Sequence, residues 1–466
     1  MAKEYSFAIP LIVGCSQFMH QFDGSVIATA LPSMAQTMGE DPVRLNLAIS
    51  SYLLALAVFV PISGWMADRF GARRIFLLAI VIFTTASVFC GLSESLMTLV
   101  TSRTLQGIGG AMMTPVARVI VAKTAPRDQL IKAMQYVALP GALAPVLGPS
   151  AGGFIVTYFS WPWIFYMNVP IGILGMAMIW RYVPDLPPEE KAPFDLKGFA
   201  ISAVGLASLV FGFETIGRGL VPRWMEVGLL VLGVIFCVLY VRHARRVENP
   251  IIDLRLLTKK TFAASITGGA LFYVTTSAVV FLLAVLLQTG FGMSAASAGL
   301  ILLSVAAGSL AARFALRPLL KLLGFRGLLI TAAAVWSVYL ASCGFFTATT
   351  PLPVLLTILF IGGGLARSLM YGSLQSLSYA EMPKSMMSRA TAFFALSQQF
   401  SQSLGVGLTA LAAHVSADLQ GHAETGVSDL RWGFWILAIS SLLSLIVFVR
   451  LPPNVGAAFE AGRRRE

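Results

Sequence analysis

The chain reads Gly64-Trp-Met-Ala-Asp68-Arg69-Phe-Gly71-Ala-Arg73-Arg74 between two long apolar segments, and this stretch concentrates charge in a sequence that otherwise carries little. Of the 466 residues, 57% are hydrophobic and 12% are charged, whereas an ordinary soluble domain has roughly 25% charged residues. A soluble protein of this composition would lack the polar residues that cover a water-exposed surface. The charged stretch therefore predicts a tight turn between two membrane helices.

Apolar segments recur along the whole chain. A transmembrane helix needs about 20 consecutive, predominantly apolar residues, and the sequence contains fourteen such segments. They lie at residues 8–31, 45–66, 75–92, 96–121, 134–158, 161–180, 198–215, 225–241, 262–287, 296–316, 328–346, 353–377, 387–413 and 431–450. This pattern predicts an all-α integral membrane protein with 14 transmembrane helices.

Basic residues indicate how these helices are oriented. With the N-terminus placed in the cytoplasm, most of the 33 Lys and Arg residues fall in cytoplasmic segments, and those predicted to lie outside are Arg44, Arg218, Arg223 and Arg431. This distribution follows the positive-inside rule and predicts that both termini are cytoplasmic. The net charge of +12 is then explained by topology and by anionic lipid headgroups, so we expect no nucleic-acid partner.

The sequence offers no sign of a cofactor, a metal or an enzymatic site. Its four cysteines lie in separate apolar segments without metal-like spacing, so we expect small core residues and no disulfide framework. No Gly-rich loop ends in Gly-Lys-Ser or Gly-Lys-Thr, which argues against ATP as the energy source.

Changes in composition divide the chain into four parts. Two basic or polar linkers flank a pair of spans in the middle of the sequence, which gives a 6+2+6 arrangement. The predicted parts are an N-terminal six-helix bundle at 1–180, linkers with two extra helices at 181–260, a C-terminal six-helix bundle at 261–450, and a cytoplasmic basic tail at 451–466.

A weak internal repeat supports two related bundles. A shift of 253 residues places Gly71 and Arg73 on Gly324 and Arg326, again between two apolar segments. Lys321 then occupies the position of Asp68, so the second copy keeps the turn and loses the carboxylate. Paired six-helix repeats, with a substrate site near the membrane midplane, are one common architecture of secondary transporters.

The charged turn resembles the loop between the second and third helices of major facilitator superfamily transporters. Other segments resemble that family's fourteen-helix drug:proton antiporter branch, of EmrB/QacA type, and are most similar to its MdtD-like members. They occur in the family's order at residues 22–172: Phe22-Asp23-Gly24-Ser25-Val26-Ile27-Ala28-Thr29-Ala30-Leu31-Pro32, Arg103-Thr-Leu-Gln106-Gly107-Ile-Gly109-Gly110-Ala111, Gly141-Ala-Leu-Ala-Pro145-Val-Leu-Gly148-Pro149-Ser-Ala-Gly152-Gly153, and Trp161-Pro-Trp163-Ile164-Phe165 followed by Asn168-Val169-Pro170.

The resemblance implies a proton-driven antiporter that exports small lipophilic or amphiphilic compounds by alternating access. It further implies a multi-pass protein of the bacterial inner membrane that works as a monomer, with a small-molecule substrate, protons and the lipid bilayer as partners. A cytoplasmic gate would contain Gly64, Asp68, Arg69, Gly71, Arg73 and Arg74. The alternative is that these residues serve only as a signal that sets the membrane topology. An antiporter motif would contain Gly141, Pro145, Gly148, Pro149, Gly152 and Gly153. The alternative is that these small residues only allow helices to pack closely.

Asp23 is the one clear carboxylate deep within an apolar segment. An ionised carboxylate at this depth costs about 2.5–3.5 kcal/mol on insertion scales, so its presence requires an explanation. From a rise of 1.5 Å per residue, Asp23 and Arg103 lie about 12 Å and about 10 Å from the outer ends of their helices. We therefore expect them to pair and to couple transport to protons, with a permanent structural ion pair as the alternative.

Further polar residues at membrane depth are candidates for the substrate cavity, with hydrogen bonds between helices as the alternative role. They are Gln17, His20, Gln21, Gln106, Asn168, Arg367, Gln375, Gln398 and Gln402. Arg367 lies near the midplane by helical rise, which favours a rival cargo, an anionic metabolite or a metal chelate. The alternative is that Arg367 pairs with backbone carbonyls or with Asp23 and does not meet substrate. A membrane sensor or scaffold without transport activity is a second alternative, against which the intact motifs argue.

Overall fold

The computed structural model describes residues 7–126, 129–188, 193–216, 221–383, 386–420 and 427–452, and these ranges are helical and contain no strand. The helices are α1 (Ala8–Met38), α2 (Pro42–Phe59), α3 (Ile62–Phe70), α4 (Ala72–Gly91), α5 (Leu96–Thr124), α6 (Leu130–Tyr158), α7 (Trp163–Tyr166), α8 (Asn168–Tyr182), α9 (Leu196–Thr215), α10 (Arg223–Ala244), α11 (Lys260–Val285), α12 (Ala295–Cys343), α13 (Leu352–Ile358), α14 (Arg367–Tyr379), α15 (Met387–Gln420) and α16 (Val427–Val449). Leu254–Thr258 is a 3-10 helix, and Leu286–Gly290 and Leu359–Ala366 are π-helical.

Every predicted apolar segment coincides with helix, as expected where no water can satisfy backbone groups. In the described ranges, nine helices are long and apolar enough to cross a membrane. A tenth span results if the bent pair Arg44–Phe59 and Ile62–Phe70, which meet at 57°, is counted as one. The all-helical, multi-span fold is thus confirmed, whereas the number fourteen stays a prediction.

The two predicted turns share a backbone feature. Gly71 has a φ of 92° and Gly324 a φ of 66°, in the region that only glycine adopts readily. Gly324 interrupts α12 between the two apolar segments that the sequence separates there. The internal repeat therefore places a glycine of the same conformational type in both halves of the chain.

The described chain forms two compact units. The first comprises Met1–Gly212, Leu220–Leu254 and Met382–Leu396. Within it α1 packs along α6, and α5 packs along both α2 and α4. Apolar side chains such as Phe22, Ile27 and Phe165 fill the centre of this unit.

The second unit comprises Phe213–Gly219, Arg255–Glu381 and Ser397–Glu466. Here α12 packs against α14 and α16, and α11 packs against α16. Its buried centre contains Trp336, whose Nε1 donates a hydrogen bond to Thr275 Oγ1 at 2.8 Å. The predicted basic tail falls outside the described residues from residue 453 onward.

Candidate functional site

A buried ion pair joins α1 to α5 in the first unit. Nη1 of Arg103 lies 2.5 Å from Oδ2 of Asp23, and neither side chain is exposed. Oδ1 of Asp23 accepts hydrogen bonds from Gln106 Nε2 at 2.8 Å and from Asn168 Nδ2 at 3.2 Å. Both carboxylate oxygens therefore have donors, which is the condition under which a buried charge is tolerated.

A second layer of contacts holds these donors in place. Ser87 Oγ accepts from Gln106 Nε2 at 2.8 Å and from Asn168 Nδ2 at 3.4 Å. Arg103 donates from Nε to the carbonyl oxygen of Ala48 at 3.3 Å, and from Nη1 to Gln106 Oε1 at 2.6 Å. We call Asp23, Ser87, Arg103, Gln106 and Asn168 the Asp23 network; it links α1, α4, α5 and α8.

Glycines of α5 allow this network to form. A β-carbon at Gly107 would lie 2.6 Å from the carbonyl oxygen of Tyr52 in α2, and one at Gly109 would lie 2.7 Å from the backbone nitrogen of Phe83 in α4. Real β-carbons do not approach so closely, so α5 needs glycine on both sides. The Gln-Gly and Gly-Gly pairs of the sequence thus let α5 pack closely on α2 and α4, both of which supply hydrogen-bond acceptors to α5 side chains of the network.

His20 and Tyr52 adjoin the Asp23 network. Nδ1 of His20 and the hydroxyl oxygen of Tyr52 are 2.5 Å apart, and the guanidinium carbon of Arg103 lies 4.2 Å from the centroid of the Tyr52 ring. A cation over an aromatic face is stabilised by the ring quadrupole. His20 is half-buried, so Tyr52 connects a partly accessible imidazole to a fully buried arginine.

Three of the four glycines of the predicted antiporter motif face α1. A β-carbon at Gly148 would collide with Ser25, one at Gly152 would collide with Thr29, and one at Gly141 would lie 3.2 Å from Gln17 Cβ. Gly153, by contrast, has no atom within 4 Å of such a carbon. The side chains of the other two motif residues, Pro145 and Pro149, lie outside the described part of the structure.

The charged turn has contacts beyond its own residues. Lys123 Nζ, in the last turn of α5, lies 3.3 Å from Asp68 Oδ1, and both side chains are nearly buried. Arg73 donates to the carbonyl oxygen of Trp180, and Arg74 Nη2 lies 3.7 Å from Asp185 Oδ2 at an exposed site. Lys123 lies outside the predicted gate residues, and no spacing in the sequence indicated its contact with Asp68.

The candidate cavity residues fall into different environments. In the first unit, Gln106 and Asn168 are buried in the Asp23 network, Gln17 is buried against α6, and Gln21 is exposed. In the second unit, Gln402 Nε2 donates to the Tyr371 hydroxyl at 3.0 Å. The remaining candidates there are buried or half-buried, namely Arg367, Gln375 and Gln398.

Three residues that the sequence analysis did not single out complete the site: Ser87, Tyr52 and Lys123. Each is an ordinary helix residue in sequence and acquires its contact only through the register between helices. Among the described residues, no group of three or more His, Cys, Asp or Glu side chains is placed to hold a metal ion.

Comparison with known proteins identifies the architecture. A family model described as Major Facilitator Superfamily matches residues 13–260 and 264–465. The protein named "Putative multidrug resistance protein MdtD" from Escherichia coli O6:H1 strain CFT073 is 34% identical over 459 residues, which cover 97% of this chain and 96% of that protein. Its namesake from Pectobacterium atrosepticum is 34% identical over 446 residues, 95% of each chain. The solved structure of the proton:xylose symporter XylE, bound to 6-bromo-6-deoxy-D-glucose, has a TM-score of 0.68 and 15% identity over 99% of each chain, which shows a shared fold.

Proposed function

This chain belongs to the major facilitator superfamily, and on that premise we propose that it is a proton-driven antiporter that exports small lipophilic or amphiphilic compounds by alternating access. Membership makes it a multi-pass membrane transporter of small molecules rather than an enzyme, and homologous to the MdtD proteins. Proton coupling, the class of cargo and the bacterial inner membrane as its location belong to the proposal.

The proposed organisation is that of the fourteen-helix EmrB/QacA branch. Six helices at 1–180 and six at 261–450 form the two bundles, the segment 181–260 adds two helices, and both termini lie in the cytoplasm. The coincidence of every predicted apolar segment with helix supports this organisation. The matching glycine conformations at Gly71 and Gly324 support the relation between the bundles.

The observation that carries the proposal is the fully buried Asp23 carboxylate with Arg103 as its partner. Protonation of Asp23 would leave Arg103 without a countercharge, so proton binding and the position of Arg103 are linked. A proton that enters from the periplasm would release Arg103 in one state, and the return of Arg103 would expel the proton inward in the other. Gln106 and Asn168, which both donate to Oδ1, are proposed to hold the carboxylate in place.

The charged turn is proposed as the cytoplasmic gate. A carboxylate held by Lys123 at a nearly buried site can bias an equilibrium of a few kcal/mol between two conformations. The energy for export comes from the proton gradient, because one charge that moves through 100 mV releases about 2.3 kcal/mol. For an uncharged cargo, one proton per cycle thus sustains a concentration ratio of about one to two orders of magnitude before any pH difference is added. Exchange of one proton for a monovalent cation moves no net charge, so the pH difference alone drives it.

The decisive test measures transport of a lipophilic cation into proteoliposomes with an imposed pH gradient. The Asp23→Asn variant keeps the side-chain volume and removes the titratable group, and Glu40→Gln, which breaks only the exposed Glu40–Arg44 pair, is the matched control. We expect Asp23→Asn to abolish gradient-driven accumulation while Glu40→Gln behaves as wild type. Full transport by Asp23→Asn that still collapses with the gradient would contradict the coupling role.

An anionic metabolite or metal chelate is the second candidate cargo, and Arg367 favours it. This half-buried arginine directly follows the π-helical Leu359–Ala366, and π-helical turns occur frequently at functional sites. Among the described residues, no carboxylate forms an ion pair with it. Transport of a small polycarboxylate that is lost in Arg367→Ala, together with no transport of the cation, would establish this cargo instead.

A further inference from the structure

The segment that precedes the two additional helices contacts the charged turn. Before α9, the carbonyl oxygen of Leu186 would lie 2.8 Å from a β-carbon at Gly71. The rings of Phe194 and Trp65 are in contact, with centroids 4.7 Å apart and an interplanar angle of 53°. The described parts of the polar linker between α8 and α9, residues 183–188 and 193–195, therefore contact the turn that is proposed as the gate.

The segment after α10 contacts the start of α15. Asn249 Oδ1 accepts a hydrogen bond from Arg389 Nη2 at 3.3 Å, and Asp253 Oδ2 lies 3.7 Å from Arg389 Nη1. Asp253 has no exposed side-chain surface, and Arg389 is 16% exposed. Tyr240 of α10 fixes this segment, because its hydroxyl accepts from Ile252 N at 2.7 Å and donates to Ile252 O at 3.1 Å.

The segment before α9 is also tied to the end of α10. Asp195 Oδ1 accepts from the backbone nitrogen of Gly198 at the start of α9 and lies 2.8 Å from Nε2 of His243 at the end of α10. We call the described residues 186–188, 193–195 and 249–253 the bracket. Gly64, Asp68, Asn249 and Arg389 line one small cavity beneath it.

The start of α15 touches the turn at one backbone position. The carbonyl oxygen of Ser388 would lie 2.7 Å from a β-carbon at Gly64, so the residue before Arg389 rests against the first glycine of the turn. The same helix belongs to the first unit up to Leu396 and to the second unit from Ser397 onward. A change in the position of its first turns therefore requires the Arg389 contacts to Asn249 and Asp253 to change too.

We propose that Arg389 is a positioning residue of the cytoplasmic gate, and that the two additional helices hold it there through Asn249 and Asp253. This rests on the proposed alternating-access function. While Arg389 stays on the bracket, Ser388 stays against Gly64 and the cytoplasmic side is closed. Opening separates Arg389 from Asp253, which removes a countercharge from a carboxylate without solvent exposure, and the bracket thereby favours the closed state.

The test uses the full-length protein in lipid nanodiscs. Hydrogen exchange is measured on the peptide at 387–396 in wild type, Asp253→Asn, Arg389→Gln, the double variant and the control Glu40→Gln. We expect exchange about threefold faster or more in each single variant, no further increase in the double variant, as for residues that act as one pair, and no change in the control. Unchanged exchange in both single variants, or additive effects in the double variant, would overturn the proposal.

A kinetic measurement distinguishes a positioning role of Arg389 from a general loss of folded protein. A looser gate populates the state that binds cytoplasmic substrate, so the apparent KM falls together with kcat, whereas a misfolded fraction lowers kcat alone. The double variant Asp253→Arg/Arg389→Asp, which exchanges the two charges, should restore the wild-type apparent KM and kcat. If the single variants lower kcat alone and the exchanged pair does not restore it, the positioning role of Arg389 is wrong. If wild type shows no gradient-driven transport, the proposed function fails, while the exchange measurement still decides the role of Arg389.

Discussion

Removal of Arg103 gives the sharpest test of how the Asp23 network is held together. In Arg103→Gln, the carboxylate of Asp23 keeps the amide donors Gln106 and Asn168 and loses its only described cationic contact. Breaking a buried ion pair from one side typically costs about 3–5 kcal/mol, because an uncompensated charge remains. The double variant Asp23→Asn/Arg103→Gln removes both charges and should recover most of this loss.

Equilibrium unfolding in mixed micelles measures these differences. Arg44→Gln, which breaks an exposed pair on the first half of the chain, serves as control and should change the free energy of unfolding by less than about 1 kcal/mol. If Arg103→Gln is as stable as wild type, or if the double variant recovers none of the loss, then Asp23 is not held as a charged group and the argument for coupling fails.

Two further predictions concern the helix contacts and the gate. Gly148→Ala should destabilise the protein by about 1–3 kcal/mol, because its β-carbon meets Ser25, whereas Gly153→Ala should be neutral; thermal unfolding of the two variants measures the difference. Asp68→Asn and Lys123→Gln should each lower the transport rate severalfold without lowering the amount of protein in the membrane, since the 3.3 Å pair is proposed to act in turnover; equal losses in transport and membrane level would contradict the gate.

Much of the helical layout could be predicted because the bilayer imposes it. An apolar segment in lipid has to form a helix, so the spans follow from composition, and a charged turn between two of them follows from its exclusion from the membrane. Depth along a helix is also readable, since the rise per residue is constant. The similar depth estimated for Asp23 and Arg103 agrees with the contact that the structure shows between them.

The rotation of each helix about its axis could not be predicted. Gln106 and Asn168 were assigned to a cavity because they are polar at membrane depth, but the structure turns both toward Asp23. Lys123 lies more than fifty residues from Asp68, and no spacing rule connects them. Such contacts depend on close approaches between particular helices, such as the approach of α5 to α2 that Gly107 permits. The sequence of one helix does not show which other helix it will approach.

The distribution of acids sets a condition on any cationic cargo. From residue 260 to residue 379 the chain contains no Asp or Glu, while it contains Arg367 in an apolar helix. Asp23 is then the deep carboxylate that a lipophilic cation would use, and in the described structure it has no exposed surface and is held by Arg103. A cation could reach it only after Arg103 has left, in the same step that admits a proton, so cation and proton should compete for one site. An anionic cargo that binds at Arg367 does not need access to Asp23. Its transport should therefore depend on protons without competition between the cargo and the proton.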